Sequence, residues 1–301
     1  MSSSQPSCTD SYALGRDYTA ASRLNYQYYL WKETLGHDLH PSIPLSPTPA
    51  ETFLIADVGC GSGIWLRSVA QALPRAQLDG FDISLAQCPP LQWLPRNVSL
   101  RQWDLFSEPP AELRGRYDVV HVRLIFVVVQ EEDPRPVITN LRLLLKPGGY
   151  LQWDELDVAG SYILKANEEV QATEMEGMLQ LLNRRGGWVG KLERFMSECG
   201  LLEARRWEYE ERKELARAFF DNHLAKDAEM AETSLRGTLE GKALAKRIRG
   251  MYEESKGGAV LCTPKVVCVG RRAAEEGGMP DLWCSAGRAA FTGPPIAKKE
   301  A

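Results

Sequence analysis

Along the chain the apolar positions change period twice. Within Tyr18–Leu35, Leu24, Tyr28 and Trp31 recur at spacings of four and three, one face of an amphipathic helix, and Gly36 is placed to end it. Pro41, Pro44, Pro47 and Pro49 then predict an extended connector, so the helix must dock back onto the body. From Thr52 short apolar runs alternate with helical segments. Strands are predicted at Phe53–Val58, Leu78–Ile83, Val98–Trp103, Tyr117–Val122 and Tyr150–Asp154, and helices at Ile64–Leu73 and Pro136–Leu145, with a hard turn at 146–149. Strands that are apolar throughout belong to a parallel sheet buried on both faces. Residues 157–200 read mostly as helix, most clearly Glu169–Asn183, and Leu202–Tyr209 and Lys265–Gly270 complete seven strands. Between these two, the charged helical stretch Arg212–Lys256 is longer than an ordinary connection. It reads as a cover over a site, or as a helical pair bracing the sheet edge. After Arg272 the periodicity stops, so 273–301 reads as a disordered tail. The expected division is an arm and connector at 1–51, one α/β domain at 52–272 and that tail.

Composition narrows the class. With 44% apolar residues, 25% charged and a net charge of −4, a globular fold is expected and nothing pulls the whole chain toward nucleic acid or anionic lipid. The longest apolar run, Leu124–Val129, is six residues, against about 20 for a spanning helix. The Ser-rich start lacks the basic head and apolar block of a secretory signal. Seven cysteines, without a C-x-x-C pair, suit reduced thiols in the cytoplasm. His37 and His40 form the one close histidine pair, with no partnering cluster, so no metal site is expected.

The chemistry concentrates in Asp57-Val58-Gly59-Cys60-Gly61-Ser62-Gly63, between a strand and a helix. Glycines at 59, 61 and 63 give G-x-G-x-G. A dinucleotide fingerprint needs a glycine where Ile64 stands, and a P-loop needs a lysine that is missing. What remains is a loop whose backbone approaches a ligand other than a pyrophosphate. Asp82, followed by Ile83, ends the second strand and can accept hydrogen bonds from both ribose hydroxyls, or cap a helix. Asp104, followed by Leu105, ends the third and suits the exocyclic amine of adenine beside apolar residues that sandwich the ring, or caps a turn. Arg123 ends the fourth strand and reaches a ligand carboxylate or pairs with Asp118. Asp57 orients the glycine loop through its amides or contacts the ligand. Tyr18, Arg23, Gln27 and Tyr28 are a lid or a packing face.

With Tyr12–Arg16, Arg23–Gln27, Asp57–Trp65, Asp82–Ser84, Pro89-Pro90, Asn97–Asp104, Tyr117–Arg123 and Leu145–Gln152, the chain resembles the class I S-adenosylmethionine-dependent methyltransferases. Within them it is similar to the fungal small-molecule group that includes regulator-type methyltransferases of secondary metabolism. The resemblance spans roughly 12–155 by motif and 156–272 by layout. It implies a seven-stranded, mostly parallel Rossmann-like sheet with helical covers at the N-terminus and in the C-terminal half. S-adenosylmethionine would be the cofactor and S-adenosylhomocysteine the product, with Gly59, Cys60, Gly61 and Gly63 around the methionine part, Asp82 on the ribose and Asp104 near the adenine. Cys60 is assigned no chemistry of its own.

Methyl transfer from a sulfonium is an in-line displacement, for which a protein mainly supplies alignment and dry surroundings. A base helps with a phenol, enol or carboxylate. Glu155, after the fifth strand, is the first candidate, with His121 and His223 behind it; His121 reads equally as a satisfied core histidine. Trp153, Trp188, Trp207, Phe219 and Phe220 suit a flat, apolar acceptor or a core. The expected activity is methyl transfer to O or N of a small metabolite by a chain that pairs as a homodimer or acts alone. A cyclase that uses the sulfonium without transferring methyl, and a methyltransferase-like regulator, are the alternatives.

Overall fold

The computed structural model describes residues 14–45, 52–129 and 133–274. The expected tail lies outside the described residues from 275 onward, as do 1–13 and part of the proline connector. Among the described residues, nine strands and seven α-helices follow one another as α1 (Tyr18–Leu35), β1 (Leu54–Val58), α2 (Ile64–Ala72), β2 (Gln77–Asp82), β3 (Val98–Gln102), β4 (Tyr117–Arg123), α3 (Arg135–Leu144), β5 (Leu145–Leu156), β6 (Tyr162–Lys165), α4 (Thr173–Leu182), α5 (Leu192–Glu198), β7 (Leu201–Tyr209), α6 (Lys213–Glu232), α7 (Leu239–Lys256), β8 (Ala259–Cys262) and β9 (Lys265–Arg272).

Seven strands form one sheet in the order β3-β2-β1-β4-β5-β9-β7. The first five pair parallel, and β9 runs antiparallel to both β5 and β7. The chain winds outward from β1 to β3 and then returns to β4, so the order reverses between β1 and β4. Such a switch point opens a crevice at the carboxyl ends of the strands. Apolar residues cover both faces: Phe81, Val122, Leu141, Trp153 and Met196 on one, Trp31, Ile55, Leu66, Leu78 and Val267 on the other. The seven-stranded, mostly parallel Rossmann-like sheet read from the sequence is thus present. Among the described residues no helix is long and apolar enough to cross a membrane.

Two expectations need correction. Residues 157–200 are helical only in part: α4 and α5 lie there with two short 3-10 turns, but β6 pairs with β8 as a separate two-stranded sheet that the sequence reading lacked. These strands are four residues each and pack on a third apolar core of Met175, Phe220, Met251 and Leu261, shared with α4, α6 and α7. Strands so short leave little period to read. The expected turn at 146–149 is instead a bulge inside β5, where the register against β4 slips. Gly149 makes it possible, because a Cβ there would lie 2.9 Å from the carbonyl oxygen of Tyr117.

α1 is capped as its sequence suggests. Asp17 accepts from the amides of Thr19 and Ala20, each at 2.9 Å, and Gly36 closes the helix in the left-handed region. It docks through Arg23, whose Nε meets Glu229 of α6 at 2.9 Å, and through Asn222 of α6, which donates to the Arg23 carbonyl at 3.1 Å. The charged stretch Arg212–Lys256 does form a helical pair, α6 and α7.

Candidate functional site

A cavity of about 460 Å³ opens at the switch point. Its floor is the β1–α2 loop. Gly59, Gly61 and Gly63 all have φ between 54° and 71°, a region that L side chains resist. Loop amides are spent on β2: Gly59 and Cys60 donate to the Phe81 carbonyl at 2.7 and 3.0 Å, and Gly61 donates to Asp82 at 2.9 Å. A side chain on Gly61 would press Leu24 of α1 at 3.3 Å. The loop therefore lies directly beneath that helix, which forms the front wall with Leu24, Gln27, Tyr28 and Trp31.

Of the nine expected cofactor residues, Gly59, Cys60, Gly61, Asp82, Ile83, Asp104, Leu105 and Arg123 line this cavity.

 Eight of the nine thus touch it directly, and Gly63 stands one step behind the wall as the N-terminal cap of α2. Asp82 also receives the Ser84 amide at 3.0 Å; burial raises its pKa, against the amide bonds from Ser84 and Gly61. One oxygen of Asp104 holds the Phe106 amide at 3.0 Å, so the turn cap and a wall position coexist. Three buried donors of the wall, Trp31 Nε1, Gln87 Nε2 and Trp103 Nε1, have no hydrogen-bond partner among the described residues. A buried donor left unpaired costs roughly 1–3 kcal/mol. A polar, nucleoside-bearing ligand would satisfy such groups, so these residues fit the cofactor that the resemblance implies.

Under the loop lies a chain of charges. Asp57 accepts from His121 Nδ1 at 2.7 Å, and Asp154 faces His121 Nε2 at 3.3 Å. Arg123 grips the same Asp154 oxygen through Nε and Nη2, at 3.0 and 2.7 Å, and Gln152 donates to the other oxygen at 2.9 Å. The imidazole stacks on Trp65 with ring centres 3.9 Å apart. Burial alone would lower the His121 pKa, but its bonds to Asp154 and Asp57 outweigh burial and raise it. Asp154 is buried too, yet Arg123 and His121 hold it down to about 2. His121 is therefore a strut with both ring nitrogens engaged by carboxylates, which favour its protonated form. Asp57 orients that ring rather than the loop amides, and Arg123 pairs with Asp154 rather than Asp118, which binds Lys146 at 2.9 Å.

The other base candidates lie outside the cavity wall. Glu155 is buried on the opposite face of β5 and takes the amide of Leu156 at 3.0 Å and Trp153 Nε1 at 3.3 Å. Burial pushes its pKa up to about 7, against these bonds and those from the amides of Ile125 and Phe126. It thus anchors the turn after β4, where Leu124 has φ 56° and Ile125, Val127 and Val128 face the cavity. His223 on α6 is pushed down to about 3 by burial and by the charges of Lys226, Lys265 and Arg23. Trp153, Trp188, Phe219 and Phe220 are core residues, and Trp207 packs on His40 at 3.9 Å. Of the expected lid residues, Gln27 and Tyr28 line the cavity, Arg23 docks on α6 and Tyr18 is exposed.

Sequence reasoning missed Asp154 and Trp31. In β4 and β5, Arg123 pairs with Asp154 and His121 with Gln152. Paired residues share a face, so the strand period of two puts Asp154, not Glu155, beside His121. Trp31 was visible on the amphipathic face of α1, but period alone does not separate a cavity wall from a core.

Residues 56–151 match a family model described as a methyltransferase domain. Over 175 residues the chain is 35% identical to the methyltransferase grgD of a Penicillium species, covering 52% of this chain and 59% of that protein. Over 99 residues it is 39% identical to the N-methyltransferase verN of Clonostachys rogersoniana, covering 33% and 34%. The chain therefore spans less than two thirds of the length of these relatives. Among solved structures, phosphoethanolamine N-methyltransferase 2 of Haemonchus contortus, in complex with S-adenosyl-L-methionine, shares the fold with a TM-score of 0.50 at 13% identity, over 85% of this chain and 58% of that one. Sheet order, glycine loop and the segment that matches the methyltransferase-domain model bear out the resemblance to class I methyltransferases read from the motifs.

Proposed function

We propose that this chain binds S-adenosylmethionine in the switch-point cavity and transfers its methyl group to a nitrogen or oxygen of a small-molecule metabolite, releasing S-adenosylhomocysteine. The observation that carries the reading is one cavity bounded by the glycine loop and by Asp82 and Asp104 at successive strand ends, with buried unpaired donors in its wall. The relative named as an N-methyltransferase favours nitrogen as the acceptor atom.

When bound, the cofactor supplies a methyl group activated by an adjacent sulfonium. Asp82 would accept from the ribose hydroxyls, and Asp104 from the adenine amine, with Ile83 and Leu105 against the ring. The glycine loop and α1 would hold the methionine part, while Trp65, Ile125 and Val128 keep the reacting region apolar. Glu155 positions the 124–126 turn, and His121 braces the loop. Catalysis in this reading rests on alignment and water exclusion, with an acceptor that enters ready to react. A flat, apolar acceptor suits a mouth lined by Phe106, Val127 and Val128. The free thiols Cys60, Cys88, Cys199, Cys262 and Cys268 suit a reducing compartment such as the cytoplasm.

The test is methyl transfer from methyl-labelled S-adenosylmethionine to candidate secondary amines and phenols. Labelled product with stoichiometric S-adenosylhomocysteine is expected; isomerised substrate without S-adenosylhomocysteine would overturn the transferase reading. Asp82→Ala should weaken cofactor binding by about 1–3 kcal/mol in calorimetry. Unchanged affinity would remove Asp82 from the ribose.

A further inference from the structure

Two thiols meet at the glycine loop. Cys60 belongs to the loop itself, is buried and lines the cavity. Its sulfur lies against β2, where a Cβ on Gly80 would stand 3.3 Å from it. Cys88 comes after β2 and is half-buried, with its sulfur 3.9 Å from where a Cβ on Gly63 would stand. The Cys88 thiol donates to the Gly61 carbonyl at 3.1 Å, and the Cys60 thiol hydrogen-bonds the Cys88 sulfur. The methyl-transfer reading gives neither thiol a task.

This arrangement makes the two sulfurs unlike. The bond from Cys60 favours the Cys88 thiolate and lowers its pKa, against burial and the charges of Asp82 and Asp57. The same bond, with burial, pushes the Cys60 thiol up. A half-buried thiol that ionises more readily, beside a second that does not, is how an attacking and a resolving cysteine are arranged. Oxidation of the pair would reach the loop directly. A disulfide has no S–H, so the Gly61 carbonyl would lose its donor. The Gly61 amide is meanwhile held by Asp82 at 2.9 Å. Gly61 is thus clamped from both sides, and one clamp is a thiol.

We propose that Cys60 and Cys88 form an oxidation site for hydrogen peroxide, whose disulfide ties the glycine loop to the segment after β2 and weakens cofactor binding. The Cys88 thiolate attacks one peroxide oxygen and becomes a sulfenic acid, and the released hydroxide leaves as water with the proton that Cys88 gave up. The Cys60 sulfur then displaces hydroxide from the Cys88 sulfur, and its own proton leaves with that hydroxide as a second water. Two thiols and one peroxide give one disulfide and two waters, with two electrons passing from sulfur to oxygen. The effect on binding rests on the S-adenosylmethionine reading above; the oxidation site does not.

The full chain is reduced, treated with hydrogen peroxide and digested with trypsin without reductant. Residues 33–67 and 76–96, the tryptic peptides that hold Cys60 and Cys88, should appear joined in mass spectra. In calorimetry, oxidised protein should bind S-adenosylhomocysteine about tenfold more weakly than reduced protein, with recovery after dithiothreitol. Cys88→Ser keeps a donor for the Gly61 carbonyl and removes the attacking thiol. It should bind within about twofold of wild type and keep that affinity after peroxide. A further measurement needs no variant. If oxidation weakens binding about tenfold, linkage requires saturating S-adenosylhomocysteine to raise the disulfide's reduction potential by about 30 mV. Absence of the joined peptide would overturn the proposal, as would an equal loss of affinity in Cys88→Ser or a potential that the ligand does not move. If reduced wild-type protein binds no S-adenosylhomocysteine, the cofactor reading fails, while the joined peptide still decides the oxidation site.

Discussion

The crevice between β1 and β4 and the cap built from α4, α6, α7, β6 and β8 handle buried polarity in opposite ways. In the crevice, charges form a connected chain, Asp57 to His121 to Asp154 to Arg123, and the unpaired donors belong to residues of the cavity wall. The cap has an apolar core and, where it meets the sheet, one isolated buried pair. Lys265 meets Glu211 at 2.5 Å with the ammonium 3.6 Å from the Phe219 ring centre. Unpaired atoms occur there too, on Glu211, Asn222 and His223, but none of these residues belongs to the cavity wall. A network shared among three strands fixes geometry for a ligand; an isolated pair only fixes one joint.

The sharpest way to break that contrast is Asp154→Ala. It leaves the buried Arg123 without its carboxylate and His121 with Asp57 alone, and removing one partner of a buried ion network costs about 3–5 kcal/mol. Denaturant titration should show that loss, together with loss of cofactor binding. A change below 1 kcal/mol would mean the network is not structural.

The next effect is a pH dependence. The Glu155 folded pKa, about 7, lies above its ordinary 4.5, so its contribution to stability is full below about pH 4.5 and is lost as pH rises through 7. His121 is raised as well, and its contribution falls in the same sense at higher pH. Glu155→Gln removes only the carboxylate's share. Unfolding free energies at pH 4.5 and 8 should therefore show wild type losing up to about 3 kcal/mol relative to the variant. Parallel curves would contradict the buried, proton-binding state of Glu155. The smallest effect probes the joint between arm and cap: Glu229→Gln weakens the clasp on Arg23. A fall in melting temperature of about 2–4 °C is expected, corresponding to about 1 kcal/mol. No shift would mean that the ion pair adds nothing measurable to the docking of α1.

These two regions were also unequally legible. Glycines at 59, 61 and 63 and acids at 82 and 104 are dictated by backbone geometry and strand ends, so residue type and spacing reveal them. The inner strands β2, β1, β4, β5 and β9 were equally readable, because they are largely buried on both faces. The strands β6 and β8 were not, since their partner lies about 100 residues away and each spans one four-residue run. Glu155 misled because position at a strand's end was weighed ahead of the face it occupies. Trp31 and Asp154 were obscured because their roles depend on what meets them across the fold.

The clasp between Arg23 and Glu229 ties positions 206 residues apart. During synthesis, more than 200 further residues must follow residue 23 before its carboxylate partner exists. The glycine loop and the five parallel strands lie within that interval, and α6 and β9 come after them. The front wall of the cavity therefore acquires this neighbour only after its floor has been made, so ligand capture waits on the far side of the molecule.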